Sequence, residues 1–453
     1  MIYKAAREPY NTIPMADDFF IVQGLGGKRS LSGELPVRGS KNAALPAMAS
    51  SLLFDGPLTL SNIPLIGDVE VMGEMLEELG AEVKRNSNGD LVIDAQPVRA
   101  TSLPRELAKQ MRASVILAGP LLARFGEIAF PHPGGCVIGA RPIDLFLEGF
   151  QKMGAEYEEA DSVYRLRAPK TGLRGADIFF RQPTVTGTET LLLAATRAHG
   201  KTLLRNAAME PEVVFLAELL RASGAHIKGE GTPTIEIIGT EKLLRLPAQA
   251  GAPRKSIAVI PDRIETGSFL ILGALAGKDI SITHCEPEHI RILIELLRTA
   301  GVNVEAGKDS LLVRAPIKKG TAYKSFGIKT HEYPGFPTDL QAPATVFLTQ
   351  AHGEALVHET IFDGRLAYTK DLVAMGADIA LWDAHRASVK GPTPLRGREL
   401  HGPDLRAGLA YLIAAIVARG KSVIYNAQLI DRGYERIEER LKKIGVMIER
   451  VSN

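Results

Sequence analysis

The stretch Leu79-Gly80-Ala81-Glu82-Val83 decides how this chain is read, because the same phrase returns five more times. The other copies are Met153-Gly154-Ala155-Glu156-Tyr157, Ser223-Gly224-Ala225-His226-Ile227, Ala300-Gly301-Val302-Asn303-Val304, Met375-Gly376-Ala377-Asp378-Ile379 and Ile444-Gly445-Val446-Met447-Ile448. Each reads as the end of an amphipathic helix, a glycine in the left-handed cap position, and the start of a strand. The spacings between the glycines are 74, 70, 77, 75 and 69 residues, a period of about 73 and longer than common solenoid repeats.

Working outward, Val69–Leu79 places Val69, Met72, Leu76 and Leu79 on one helical face. Further upstream in the repeats lie the apolar strands Leu58–Asn62, Thr202–Asn206, Ile280–His284, Ala355–His358 and Ser422–Asn426. Small-residue-rich helices precede several of them, at Thr188–Ala198, Thr266–Ala276 and Leu405–Ala418. One unit cannot bury its own helices, so the pattern predicts an α/β protein with units packed around shared buried helices and sheets outside. Six units fit two domains of three.

The chain has 453 residues, more than one hydrophobic core usually supports. Its net charge of +2, from 54 basic and 52 acidic residues, offers no electrostatic case for binding nucleic acid. Cys136 and Cys285 are the only cysteines, which excludes a disulfide framework and a zinc-type spacing and fits a reducing cytosol. The longest apolar runs, such as Leu409–Ala418, are far short of a membrane span. Residues 1–20 read as a flexible polar leader without the apolar core of a signal peptide.

The chemistry-bearing segment is Pro131-His132-Pro133-Gly134-Gly135-Cys136-Val137-Ile138-Gly139-Ala140-Arg141-Pro142-Ile143-Asp144. A thiol among glycines, five residues before an arginine, is either an incidental loop cysteine or a thiol of lowered pKa. His132 does not make a cysteine hydrolase of it, because a short Pro/Gly loop does not place an imidazole on the thiol and no third group is evident. Cys285 reads as a strand-end core cysteine.

Together with Gly39-Ser40-Lys41-Asn42-Ala43-Ala44-Leu45-Pro46, Met111-Arg112-Ala113-Ser114, Pro261-Asp262-Arg263-Ile264-Glu265-Thr266-Gly267, Pro337-Thr338-Asp339-Leu340-Gln341, Asp404-Leu405-Arg406-Ala407 and Asp431-Arg432-Gly433-Tyr434-Glu435-Arg436, this segment resembles the UDP-N-acetylglucosamine 1-carboxyvinyltransferases. The motifs stand in the family's order from about Ile21 to the end of the chain. The resemblance implies the enolpyruvyl-transferase fold, an inside-out α/β barrel of two domains, each of three βαβαββ units, with the active site in the cleft between them. It also implies discontinuous domains, residues 41–259 and residues 21–40 plus 260–453.

The implied reaction moves the enolpyruvyl group of phosphoenolpyruvate to the 3-hydroxyl of UDP-N-acetylglucosamine by addition and elimination, releasing phosphate. It is the first committed step toward peptidoglycan, in the cytoplasm. The implied partners are these two small molecules, with no nucleic acid, membrane or obligate protein partner, and the implied cofactor set is empty, with no metal. Such chemistry needs cations for a trianionic substrate, an acid for the enol methylene and a base for the sugar hydroxyl. By resemblance, Lys41, Asn42, Arg141, Arg406 and Arg432 hold phosphoenolpyruvate, with Lys41 and Arg432 also counted as catalytic. Cys136 matches the reactive cysteine, as general acid, covalent nucleophile or both, and as the target of fosfomycin. Asp339 matches the base, although locally it reads equally well as a helix N-cap after Pro337-Thr338. For the sugar nucleotide the matched positions are Asn42, Arg112, Arg141, Pro142, Ile143, Asp144, Leu145, Thr184, Val185, Thr186, Asp339 and Ile361. The glycine-rich loop around Cys136 reads as a lid.

The sequence departs from the family pattern at Phe146, where histidine is common, and at Gln182, where lysine is frequent near the nucleotide. It departs again at Gly364, in place of asparagine, and at Gly402-Pro403, in place of Ala-Thr. These leave open a paralogue acting on a different hydroxyl acceptor, such as another nucleotide sugar or shikimate 3-phosphate, or a non-catalytic sugar-nucleotide-binding regulator.

Overall fold

All six repeat glycines end a helix in the left-handed region, with φ of +103°, +91°, +106°, +95°, +107° and +99° in chain order. The residue after each glycine donates its N–H back to the carbonyl five positions earlier. Ala81 reaches Leu76 at 2.9 Å, and Val446 reaches Leu441 at 3.1 Å. This closes a Schellman motif, which explains why the following position is a small or branched apolar residue that tucks under the helix end. The capped helices are Gly67–Glu78, Asp144–Lys152, Pro211–Ala222, Arg291–Thr299, Thr369–Ala374 and Ile437–Lys443. The computed structural model describes residues 18–134, 143–246, 256–315 and 323–452. Cys136, Arg141 and Pro142, and the loop read as a lid, lie outside the described residues.

Four of the five expected strands end one residue early, while the fifth ends at His358 as expected. Asn62, Asn206, His284 and Asn426 sit at φ of 54°, 55°, 54° and 61°, outside the extended region. Asparagine tolerates this conformation. Three of these side chains each donate to a neighbouring carbonyl, as Asn62 does to Val259 O at 2.8 Å. The helix expected at Thr188–Ala198 runs instead from Val185 to Ala195, because the Thr184 hydroxyl accepts the Gly187 N–H and starts it earlier. The helix expected from Thr266 starts at Arg263, where Asp262 accepts from Ile264 and Glu265.

The strands form six sheets among the described residues, five of four strands and one of three. Each four-stranded sheet repeats one order, a parallel pair followed by two antiparallel neighbours. Phe19–Gln23 lies antiparallel between Lys421–Tyr425 and Met447–Val451, and Leu31–Pro36 runs parallel to Gly277–Thr283. The strand begins at Phe19, so the last two residues of the expected leader belong to a sheet. Ile257–Ala258 returns beside Leu58–Ser61.

The chain passes between the two groups of sheets twice, side by side. Ser40 donates to Ile260 O at 2.7 Å and Asp262 to Arg38 O at 2.8 Å. Gly39 sits at this crossing, where a Cβ would fall 1.8 Å from Asn62 O, so the close approach requires glycine.

Six helices lie inside: Lys41–Ser50, Ala118–Phe125 and Val185–Ala195, then Arg263–Ala276, Gln341–Gln350 and Leu405–Val417. Every residue of Arg263–Ala276 and Leu405–Val417 is buried. A helix buried on every face is a core helix of its domain. The buried apolar residues form two clusters, one from Ala43 to Val259 and one joining Phe20–Val37 to Ile264–Ile448. No helix among the described residues is long and apolar enough to cross a membrane.

Candidate active site

The inner helices all begin at, or within a few residues of, one cavity of about 390 Å3. Lys41 and Asn42 open the first helix, Val115 and Ile116 lead into the second, and Val185, Thr186 and Gly187 form the first turn of the third. Arg263 and Ile264 open the fourth, Thr338 and Asp339 stand in the 3-10 turn before the fifth, and Leu405 and Arg406 open the sixth. Converging helix N-termini bring partial positive charge and free N–H groups, a setting for anions. Side chains cap two of these ends from within the cavity wall. The Thr184 hydroxyl accepts the Gly187 N–H at 3.2 Å, and Asp404 accepts those of Arg406 and Ala407 at 2.8 and 3.1 Å.

Two carboxylates organise the cations. Asp68 receives Lys41 Nζ at 3.0 Å on one oxygen and Arg432 Nε at 2.8 Å on the other. Burial alone would raise the Asp68 pKa, but the Lys41 and Arg432 charges outweigh it and hold the carboxyl below its usual range. Asp339 receives Arg365 Nη2 at 2.7 Å and Arg406 Nε at 3.0 Å. Burial again opposes ionisation, and Arg406, Arg365 and Lys41 overcome it, so this carboxyl is held well below the ordinary range. Arg406 also donates to the Tyr434 hydroxyl at 2.8 Å. Asp339 is therefore not an N-cap. It lies inside the turn Thr338–Leu340, whose N-cap is Pro337, and its oxygens point to arginines.

At another part of the cavity Glu189, Glu210 and Glu212 meet Arg263 and Tyr333. Arg263 Nε lies 3.0 and 3.2 Å from the two Glu212 oxygens. Burial and then the Glu212 and Glu210 charges push the Glu189 pKa well above the usual carboxylate range. Burial likewise raises that of Glu210.

Of the residues expected from sequence, the cavity brings together Lys41, Asn42, Arg112, Ile143, Leu145, Thr184, Val185, Thr186, Asp339, Ile361, Arg406 and Arg432. Asp144 stands beside it at the start of Asp144–Lys152, paired with Arg181. Gln182 and Phe146, two of the departures, line the wall. Cys285 is buried just after its strand, and desolvation pushes its thiol up to about 12. Sequence reasoning misses Asp68, Arg365 and the Glu189–Glu210–Glu212–Arg263 group. Asp68 precedes an amphipathic run and reads locally as a helix-start acid, and Arg365, after Phe362-Asp363-Gly364, carries no local pattern that marks a site. Arg263 lies inside a matched motif, which is the signal that could have found it.

The comparisons agree with this geometry. A family model described as EPSP synthase (3-phosphoshikimate 1-carboxyvinyltransferase) matches residues 25–441. The chain is 42% identical over 426 residues to the UDP-N-acetylglucosamine 1-carboxyvinyltransferase of Desulforapulum autotrophicum, covering 94% of this chain and 98% of that protein. It is 44% identical over 437 residues to the protein of that name from Solibacter usitatus, covering 96% and 100%. In fold it matches the enolpyruvyl transferase NikO from Streptomyces tendae, with a TM-score of 0.85 at 24% identity over 97% of this chain and all of that one. EPSP synthase from Acinetobacter baumannii matches with a TM-score of 0.70 at 17% identity, over 96% of this chain and 100% of that one. With inner helices opening on a shared cavity, repeated sheets outside, and relatives of this identity over nearly its whole length, the chain has the enolpyruvyl-transferase fold and belongs to the UDP-N-acetylglucosamine 1-carboxyvinyltransferases of the enolpyruvyl transferase family.

Proposed function

We propose that this enzyme transfers the enolpyruvyl group of phosphoenolpyruvate to the 3-hydroxyl of UDP-N-acetylglucosamine and releases phosphate, the first committed step of peptidoglycan synthesis, in the cytoplasm. The observation that carries the reading is the placement of Asp339 on Arg406 in the same cavity as the Asp68-linked pair Lys41 and Arg432. A carboxylate beside cations suited to a carboxylate-and-phosphate substrate supports the reading of Asp339 as the base. The reading divides the chain into residues 41–259 and residues 21–40 with 260–453, and the two separate buried clusters support that division.

In the reaction the sugar hydroxyl oxygen bonds to the enol carbon while Asp339 takes the hydroxyl proton. The enol methylene gains a proton, which by resemblance comes from the Cys136 thiol. The resulting tetrahedral adduct then loses a methyl proton and its C–O bond to phosphate breaks. Lys41, Arg432 and Arg406, with Arg141 by resemblance, neutralise the donor. In the free site Asp339 is a weak base because two arginines hold its charge. An arriving anion shares those arginines, which raises the basicity of Asp339 at the moment it is needed. Asn42, Arg112, Ile143, Leu145, Thr184, Val185, Thr186 and Ile361 line the room available for the sugar nucleotide, with Asp144 beside them and Pro142 added by resemblance.

The test is phosphate release from phosphoenolpyruvate with UDP-N-acetylglucosamine, with shikimate 3-phosphate, or with no acceptor. Release only with the sugar nucleotide is expected. Release with shikimate 3-phosphate alone, or with neither acceptor from folded protein, overturns the reading.

A further inference from the structure

Glu189 stands one turn along the helix whose first residues are Val185 and Thr186, and all three line the cavity. Its side chain is 2% exposed, and its Oε1 has no hydrogen-bond partner. Glu210, 6% exposed, also has an unpartnered oxygen, Oε2, while its Oε1 accepts the Tyr333 N–H at 3.4 Å. A buried polar atom without a partner is costly unless something else satisfies it. Both atoms belong to residues that line one cavity, so a ligand bound there can supply the missing bonds.

We propose that Glu189 hydrogen-bonds an uncharged polar group of the acceptor, a sugar hydroxyl or amide, and that Glu210 and Glu212 make this corner of the cavity hostile to anions. The inference rests on the acceptor proposed above.

Three observations select this ligand chemistry. The charged neighbours of Glu189 are the carboxylates Glu212 and Glu210, so a phosphate or carboxylate would be repelled. The cation packed into the group, Arg263, is already engaged by both Glu212 oxygens, at 3.0 and 3.2 Å. Burial, then the Glu212 and Glu210 charges, push the Glu189 pKa up toward the protonated form, in which a carboxyl donates as well as accepts, the complement of a hydroxyl or an amide. The phosphoenolpyruvate cations are instead gathered on Asp68 and Asp339, and the corner shares a helix with Thr184–Thr186. The acceptor is therefore the substrate that meets Glu189. A site built to hydrogen-bond a group rejects analogues that lack it, because its own polar atoms are then left unpaired. Glu189 would thus help specify the acceptor without touching the donor.

The experiment compares wild type, Glu189→Leu and Glu189→Gln. UDP-N-acetylglucosamine binding is measured by calorimetry, the phosphoenolpyruvate KM by phosphate release, and folding by thermal melting. Leucine should weaken acceptor binding by about tenfold or more with a much smaller change in the phosphoenolpyruvate KM. Glutamine, which also donates and accepts, should recover most of the loss. Infrared difference spectra give a readout that survives if the leucine variant does not fold. Wild type should show a protonated-carboxyl C=O band that shifts when UDP-N-acetylglucosamine is added, and Glu189→Gln should lack it. Unchanged acceptor binding in a folded Glu189→Leu protein overturns the proposal. So does a wild-type spectrum without that shift, or one whose shifting band persists in Glu189→Gln. If wild type itself does not bind the sugar nucleotide, the proposed function falls and takes this inference with it. Binding by wild type that equals binding by the leucine variant removes this inference alone.

Discussion

Asp68 and Arg432 stand 364 positions apart in the chain and meet at 2.8 Å. Asp68 belongs to the second α-helix after the chain crosses into the Ala43–Val259 cluster, whereas Arg432 follows the helix Ala427–Asp431, whose Ala427 and Ile430 belong to the other buried cluster. Lys41 takes the second Asp68 oxygen at 3.0 Å. One carboxylate thereby holds together two cations that would otherwise repel each other, and both line the same cavity.

Asp68→Asn should loosen that arrangement. The phosphoenolpyruvate KM is expected to rise about tenfold while kcat falls less, because the cations lose their common anchor rather than their charge. Stability should fall by about 2 kcal/mol, below the usual loss for a fully buried pair, because Arg432 keeps some contact with solvent. Steady-state kinetics and urea denaturation measure both. A KM equal to or below that of wild type would show that Asp68 competes with the substrate instead of positioning its ligands.

Asp339→Asn tests the proposed base apart from anion binding. kcat should fall by about 10²–10⁴-fold, while inorganic phosphate should bind at least as well, since Arg365 and Arg406 lose their internal anion. The same variant carries a pH signature. The folded pKa of Asp339 lies below its unfolded value of about 3.9, so its contribution to stability is present above that value and is lost as pH falls through the folded one. The stability gap between wild type and Asp339→Asn should therefore be full at pH 7 and shrink in strong acid. A constant gap down to pH 2 argues against the ion pairs as its origin.

Cys285 should be chemically silent. Desolvation first, then Asp309 and Glu286, push its thiol up to about 12, so almost no thiolate exists near pH 8. A Cys136→Ser protein should take up no iodoacetamide until it is unfolded, as read by intact-mass measurement. Rapid labelling of the native variant contradicts this.

The helix-ending glycines should differ from the crossing glycine in what they tolerate. Gly301 has φ +95° and open space where a methyl would point, so Gly301→Ala costs backbone strain alone, about 1–2 kcal/mol by urea denaturation. Gly39→Ala would drive a methyl to 1.8 Å from Asn62 O and should cost far more, or prevent folding.

Much of the fold is legible because its signals are local. A glycine at the end of an amphipathic run specifies a left-handed cap wherever the chain goes next, and all six such positions adopt it. Strand ends read one residue too long at Asn62, Asn206, His284 and Asn426, where strand-like composition gives no warning of a left-handed residue. The helix at Val185 reads three residues late because small threonine-rich turns have weak periodicity, and the Thr184 cap is the available signal.

The site is legible only where motif and chemistry coincide. Lys41, Asp339, Arg406 and Arg432 stand in long matched segments, and they share one cavity. Asp68, Arg365 and Glu189 carry no such local mark. A carboxylate in a helix reads as a solvated charge until its burial and its partners are known.

By itself, the sequence determined the six-unit repeat and its helix caps, because these depend on neighbours within a few turns, whereas the residues for a small trianion came from the resemblance. The tertiary structure alone decided that Asp68 ties Lys41 to Arg432, that two arginines suppress the proton-accepting power of Asp339, and that Glu189 is buried with an unpaired oxygen. Burial and charge pairing are set by which distant segments the closed chain brings within about 4 Å, where Coulomb and hydrogen-bond energies become large, and no local pattern encodes that distance.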